Sequence, residues 1–116
     1  TRTDVGTLTN SPRLVATVGM TCFLNRFELP RHDFLGEELL LREGGGAVCV
    51  WGATGLSIND YARTLDQGFL RARYTDGHIV AGDAIKAALS EYGRSGQPRF
   101  MLDIYVLLGD PALRLK

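Results

Sequence analysis

Neither sign of charge predominates in this sequence. Thirteen Lys and Arg stand against thirteen Asp and Glu over 116 residues, a net charge of zero. A nucleic-acid binder must neutralise several phosphates and carries a basic excess or patch to do so; none is present, and nucleic acid is excluded as a partner. Long apolar runs are also missing, so nothing approaches the ~20 residues of a membrane span, and no membrane partner is expected. The first residues, TRTDVGTLTN, lack the basic, apolar, small-residue order of a signal peptide. There are only two cysteines and two histidines. A disulfide-stapled mini-protein is thereby excluded. With no C-x-x-C, no H-x-x-x-H and no Cys/His cluster, no metal site and no cofactor are expected. Glycine, in contrast, is plentiful: fourteen residues, well above the usual ~7%, placed at the ends of apolar segments.

Those segments alternate in type. Residues 1–12 are polar, with Ser11-Pro12 as a turn signal. Leu14–Met20 reads as a short buried strand, and the irregular stretch after it, through Pro30, as a loop. Asp33 is a candidate N-cap for a helix with Leu35, Leu39 and Leu40 on one face, ended by Gly44-Gly45-Gly46. Ala47–Trp51 (AVCVW) is a second buried strand, and Gly52–Gly55 a small-residue loop after it. Ser57, with Asp60 three residues on, makes a capping box for a helix whose face is Ile58, Tyr61, Ala62, Leu65, Phe69 and Ala72. Asp76-Gly77 stops it. A further helix spans 81–92, ending at Gly93. The segment up to Leu108 suits helix or strand equally, Gly109-Asp110-Pro111 is a turn, and Ala112–Leu115 is a candidate terminal strand. This alternation defines an α/β class with a parallel sheet. Two clear strands are too few to cover three helices, so the architecture reads as incomplete.

Few residues could carry chemistry. Cys22 directly follows the first strand and opens an irregular loop, the place where α/β sheets put reactive groups; a neighbouring base would activate it. Its alternative role is that of a half-buried small hydrophobe. Cys49, inside a strand, reads as structural. His32, ten residues beyond Cys22 in a Pro-bounded loop, is a candidate base, with a surface or capping role as the alternative; His78 reads as loop punctuation. Gly44-Gly45-Gly46 precedes a strand, the wrong side for a phosphate cradle at a helix N-terminus, and reads as a plain turn.

Three segments together, VATVGMTC, FLGEELLLREGGGAVCVWGATGLS and YVLLGDPALRL, resemble the second half of the catalytic domain of gingipain-type cysteine peptidases. The resemblance runs from about residue 5 to 116. It implies a caspase-like three-layer sandwich with a mostly parallel sheet, residues 1–116 being the C-terminal part of that domain. It also implies hydrolysis of peptide bonds in a peptide or protein substrate, with Cys22 as nucleophile and its backbone N–H as half of the oxyanion hole. Trp51, Gly52, Ala53, Thr54 and Gly55 match the segment that walls the substrate side-chain pocket. Leu35–Leu41, Gly45-Gly46 and Gly109–Pro111 match structural motifs. Two departures stand out. Phe23-Leu24-Asn25-Arg26 follows Cys22 where the family often has Asn-Gly or Thr-Gly one residue on, and none of the 21 residues before Cys22 is the family's catalytic His. The expectation is therefore a fragment, inactive alone, whose partner is the missing N-terminal half, a second chain or another copy of itself. The alternative is a non-catalytic caspase-like binding or scaffolding module. Relatives of this kind are often secreted by bacteria, and no calcium-ligand set is recognisable.

Overall fold

In a computed structural model describing residues 1–115, the strand Ala47–Ala53 has a partner on either side and a helical layer on either face. In chain order the elements are α1 Arg2–Val5, β1 Val15–Val18, α2 Leu35–Leu41, β2 Ala47–Ala53, α3 Asn59–Tyr74, α4 Ala81–Arg94, α5 Phe100–Ile104 and β3 Tyr105–Gly109. The sheet order is β1-β2-β3. β1 runs parallel to β2 and β3 antiparallel to it, so the sheet is mixed. Chain continuity explains this: β1 returns to β2 through a helical crossover, as parallel neighbours require.

Strand alternation distributes β2 between two cores. Trp51 and Ala53 face α3 and α4, where Ala62, Leu65, Phe69 and Ala72 meet Ala84, Ile85, Ala88 and Tyr92. The Trp51 ring lies 5.6 Å from that of Phe69 and 5.3 Å, edge-on, from that of Tyr105. Gly68 lets the two helices close: a Cβ there would stand 3.3 Å from the Ala88 Cβ. Val50 points to the opposite face and packs with Leu24, Leu35 and Leu39 under α2. Ala47 shares that face although it lies three residues from Val50, because the β1–β2 register skips a residue between Val15↔Ala47 and Ala16↔Cys49. Helix, sheet and helix pair make three layers, as expected of a caspase-like sandwich.

Several element ends depart from expectation. α2 begins after Phe34 rather than at Asp33, because the Glu37 carboxylate accepts the Phe34 N–H at 3.1 Å. β2 continues through Gly52 and Ala53, since their backbones still pair with Val106 and Tyr105 of β3. The ambiguous tail is helix and then strand, and Ala112–Leu115 forms only the bridge Val80↔Arg114. The polar start folds into α1, with Val5 buried.

Among the described residues, β1 has a strand neighbour on one side only. Leu14, Val15 and Met20 are 38%, 53% and 47% exposed. They line a groove of about 1060 Å³ together with Asp66, Phe69, Leu70, Arg73 and Tyr74 of α3. No helix among the described residues is long and apolar enough to cross a membrane.

Candidate active site at the end of β1

β1 delivers the chain to Gly19, whose N–H donates to the Trp51 carbonyl at 3.0 Å and whose carbonyl accepts the Tyr105 hydroxyl at 3.2 Å. Burial pushes the Tyr105 phenol up, so it stays a neutral donor. A few residues later the backbone bends sharply. Phe23 has φ 57°, a left-handed conformation uncommon in side chains with a Cβ and of order 1–3 kcal/mol in cost. The bend persists because the residues on either side of it are tied down. The Phe23 N–H donates to the Gly55 carbonyl at 3.1 Å, and the Asn25 N–H to that of Ala53 at 3.0 Å. The Arg26 guanidinium lies over the Phe23 ring at 4.7 Å.

Asn25 is fully buried. Its amide donates to the carbonyls of Val50 at 3.0 Å and Val106 at 3.1 Å, pinning the turn to β2 and β3 at once. Leu24 fills the gap left by Gly52, where a Cβ would come within 2.6 Å of its side chain. The absence of a glycine after Cys22 thus has a structural answer: Phe23 takes the left-handed bend itself, and Asn25 holds it. Asn25 is the positioning residue that reading the sequence missed. Its one signal was a polar side chain among Phe23, Leu24 and Phe27.

The turn leaves the Cys22 thiol half-buried and outside any disulfide, on a cleft of about 360 Å³ lined also by Phe23, Leu24, His32, Phe34 and Leu35. The hydrogen bonds of the sulfur run to Ser57. The Ser57 N–H donates to Sγ at 3.3 Å, its hydroxyl donates at 3.6 Å, and the thiol donates to its carbonyl at 3.3 Å. The backbone N–H first, and the hydroxyl next, hold the thiol below its ordinary range. Ser57 is accordingly not the expected helix cap: α3 is preceded by Ile58, with no side-chain cap. Cys49 is the contrasting thiol, buried and pushed up by desolvation.

His32 shares the cleft with Cys22, but among the described residues no hydrogen bond joins its imidazole to the sulfur. The segment Trp51–Gly55, matched by resemblance to the wall of the substrate pocket, divides between strand and loop, the strand running two residues past the Trp51 end read from sequence. Its first three residues are strand, and the Trp51 and Ala53 side chains lie in the core beneath α3 and α4, where alternation aims them. Thr54 and Gly55 lie beyond the strand end; the Thr54 hydroxyl donates to the Ile104 carbonyl at 3.1 Å. The segment meets the Cys22 turn through the backbones of Ala53 and Gly55. No group of three or more His, Cys, Asp or Glu among the described residues could hold a metal ion.

The α/β sandwich is the caspase-like fold expected from the sequence. The chain belongs to peptidase family C25, whose sequence model matches residues 1–116. Its fold is that of a solved structure, the Arg-specific cysteine proteinase gingipain R, with a TM-score of 0.86 at 19% identity. The match covers 99% of this chain and 29% of that one, so the chain spans less than a third of the length of gingipain R. No curated protein sequence matches it.

Proposed function

We propose that this chain is the nucleophile-bearing part of a cysteine endopeptidase, with Cys22 attacking a peptide carbonyl. The observation that carries the reading is the sulfur itself: at a strand end, on a cleft, with two donors turned toward it. The thiol proton passes to a base as the Sγ–C bond forms, and the carbonyl oxygen becomes an oxyanion that the Cys22 N–H helps to stabilise. The tetrahedral intermediate collapses with cleavage of the C–N bond, and the base, now protonated, gives its proton to the leaving amine. Water then hydrolyses the thioester. The base comes from a segment outside these residues, and the chain alone is inactive. Thr54 and Gly55 remain candidates for one wall of the substrate pocket. A peptidase assay on the longest polypeptide carrying these residues tests the assignment: Cys22→Ala abolishes hydrolysis, and full activity in that variant overturns it. Loss of hydrolysis in His32→Ala would move the base to His32.

The non-catalytic reading draws on one feature, that the partner of the sulfur is a serine and not a base. A longer polypeptide that binds peptides but hydrolyses none would establish it.

The proposed partner is the rest of the peptidase domain, docked as a strand along the free edge of β1. The apolar groove there, the buried Asp66 with an unpartnered oxygen and the 29% coverage of gingipain R support this. Sedimentation equilibrium of the 116-residue chain distinguishes the occupants, a dimer favouring a second copy. A monomer with β1 amides protected from exchange would contradict an open edge.

A further inference from the structure

Ser57 occupies an unusual place. By sequence it is the cap of α3, with Asp60 at the spacing of a capping box. In the structure that role is unused: Ile58 precedes the helix and no side chain caps it. Instead, three polar groups of Ser57 lie on one atom, the Cys22 sulfur, 35 positions away in the chain. An uncapped helix end forgoes the stabilisation that a side-chain cap supplies, so the serine is turned to the sulfur at the helix's expense.

The three groups act differently on the two forms of the sulfur. The Ser57 carbonyl accepts from the neutral thiol and offers nothing to a thiolate. The N–H and hydroxyl are donors, and donors favour the charged form. The hydroxyl can rotate, serving the thiolate once the proton has left. The residue thus gives the thiol a defined orientation before attack and two donors when charge develops. We propose that Ser57 is the positioning residue of the Cys22 nucleophile, fixing the sulfur at the mouth of the cleft and stabilising its negative charge through its backbone N–H and hydroxyl. Its catalytic meaning rests on Cys22 being the nucleophile; its effect on the sulfur does not.

Titration of the thiol therefore tests it without any peptidase activity. The rate of Cys22 alkylation by iodoacetamide is followed against pH, with peptide mapping to separate Cys22 from the buried Cys49. Parent protein gives a profile with its midpoint below that of the same protein in denaturant. Ser57→Ala keeps the backbone donor and loses the hydroxyl, so its midpoint rises by about half a pH unit, roughly a threefold loss of thiolate below the midpoint. Ser57→Thr restores the hydroxyl and the parent profile. An Ala profile coincident with the parent's, or a Thr profile that follows Ala, overturns the proposal. Far-UV circular dichroism and a urea midpoint accompany each variant; if Ala unfolds, Ser57→Gly supplies the same deletion. In a peptidase-active polypeptide, Ser57→Ala lowers kcat while KM stays put. Cys22→Ala remaining active, with the titration shift intact, would refute the nucleophile assignment and leave the Ser57 effect standing.

Discussion

Trp51 and Val15 stand on neighbouring strands of one sheet, yet one is 2% exposed and the other 53%. The side of β2 that faces α3 and α4 is finished: aromatic rings pack edge to face, small residues let the helices close, and the Tyr92 hydroxyl reaches the Pro98 carbonyl at 2.8 Å. The outer side of β1 is not. It combines an unpaired strand edge, exposed Leu14 and Met20, and two of the three buried side-chain polar atoms without partners among the described residues, Asp66 Oδ1 and Arg73 Nε, the third being Asn25 Oδ1 under the Cys22 turn. Native interiors rarely leave such groups unmet. The contrast marks where this sequence is self-sufficient and where it awaits something else. Cys22 lies on the turn four residues beyond β1, so the site is built on the junction of the two regimes.

The largest contrast is in packing. Trp51→Ala removes the ring on which Phe69 and Tyr105 converge, and should cost about 3–5 kcal/mol. Val15→Ala on the open edge should cost no more than about 0.5 kcal/mol. Urea midpoints of the two variants check this, and comparable losses would show that the edge is covered in solution.

Asp66 gives the next largest effect and the clearest pH signature. Burial raises its carboxyl to about 7 from the usual 3.8. The folded protein therefore binds a proton at this site that the unfolded chain releases between those values. Stability falls as pH rises from about 4 to about 7 and then levels off. Asp66→Asn keeps the site neutral at every pH. The variant should match the parent near pH 4 and exceed its stability by roughly 2–4 kcal/mol at pH 8. Urea titrations at the two pH values measure it; equal stabilities at pH 8 would mean the carboxylate has found a partner.

Asn25 stands between the two regimes, tied to β2 and β3 through its NH2 group yet with a buried Oδ1 that has no partner among the described residues. Its amide holds one carbonyl on each of two strands. Asn25→Ala removes both of these hydrogen bonds, one buried and one part-buried, at about 1–3 kcal/mol. It also frees the Phe23 bend, so iodoacetamide should label Cys22 with altered kinetics while a peptide map leaves Cys49 unlabelled.

Much of this was legible in the residues. The apolar runs placed β1 and β2, the 3.6-residue spacing placed α3 and α4, and the strand-end position of Cys22 singled out the thiol. What was hidden depended on partners far along the chain. Nothing local says that Gly52 and Ala53 stay in the sheet; β3, more than fifty residues on, decides that by pairing with them. A Ser three residues before an Asp looks like a helix cap until a sulfur competes for it. Asn25 and Asp66 look like ordinary polar residues, because burial is a property of the fold. The open edge was legible in a coarser way, as a strand count too small for the helices.

The smallest effect bears on the same contrast through charge. Arg71 and Glu91 form an ion pair between α3 and α4, on the rim of the finished side, with side chains 51% and 39% exposed. Both ions keep water, so attraction and desolvation nearly cancel, and holding two long side chains together costs entropy. Arg71→Ala should therefore lower stability by about 0.5 kcal/mol or less, and 1 M salt should erase the difference, since screening then acts within ~3 Å. Asp66→Asn should keep its effect in the same salt, because the cost there is desolvation of a buried carboxylate and not an ion pair that salt can screen. Two carboxylates on packed helices, Glu91 paired and exposed and Asp66 buried with an unpartnered oxygen, then differ severalfold in energetic weight for one reason, burial. Thermal unfolding of both variants with and without salt decides it. A salt-resistant loss at Arg71 would mean that the rim is drier than its exposure indicates.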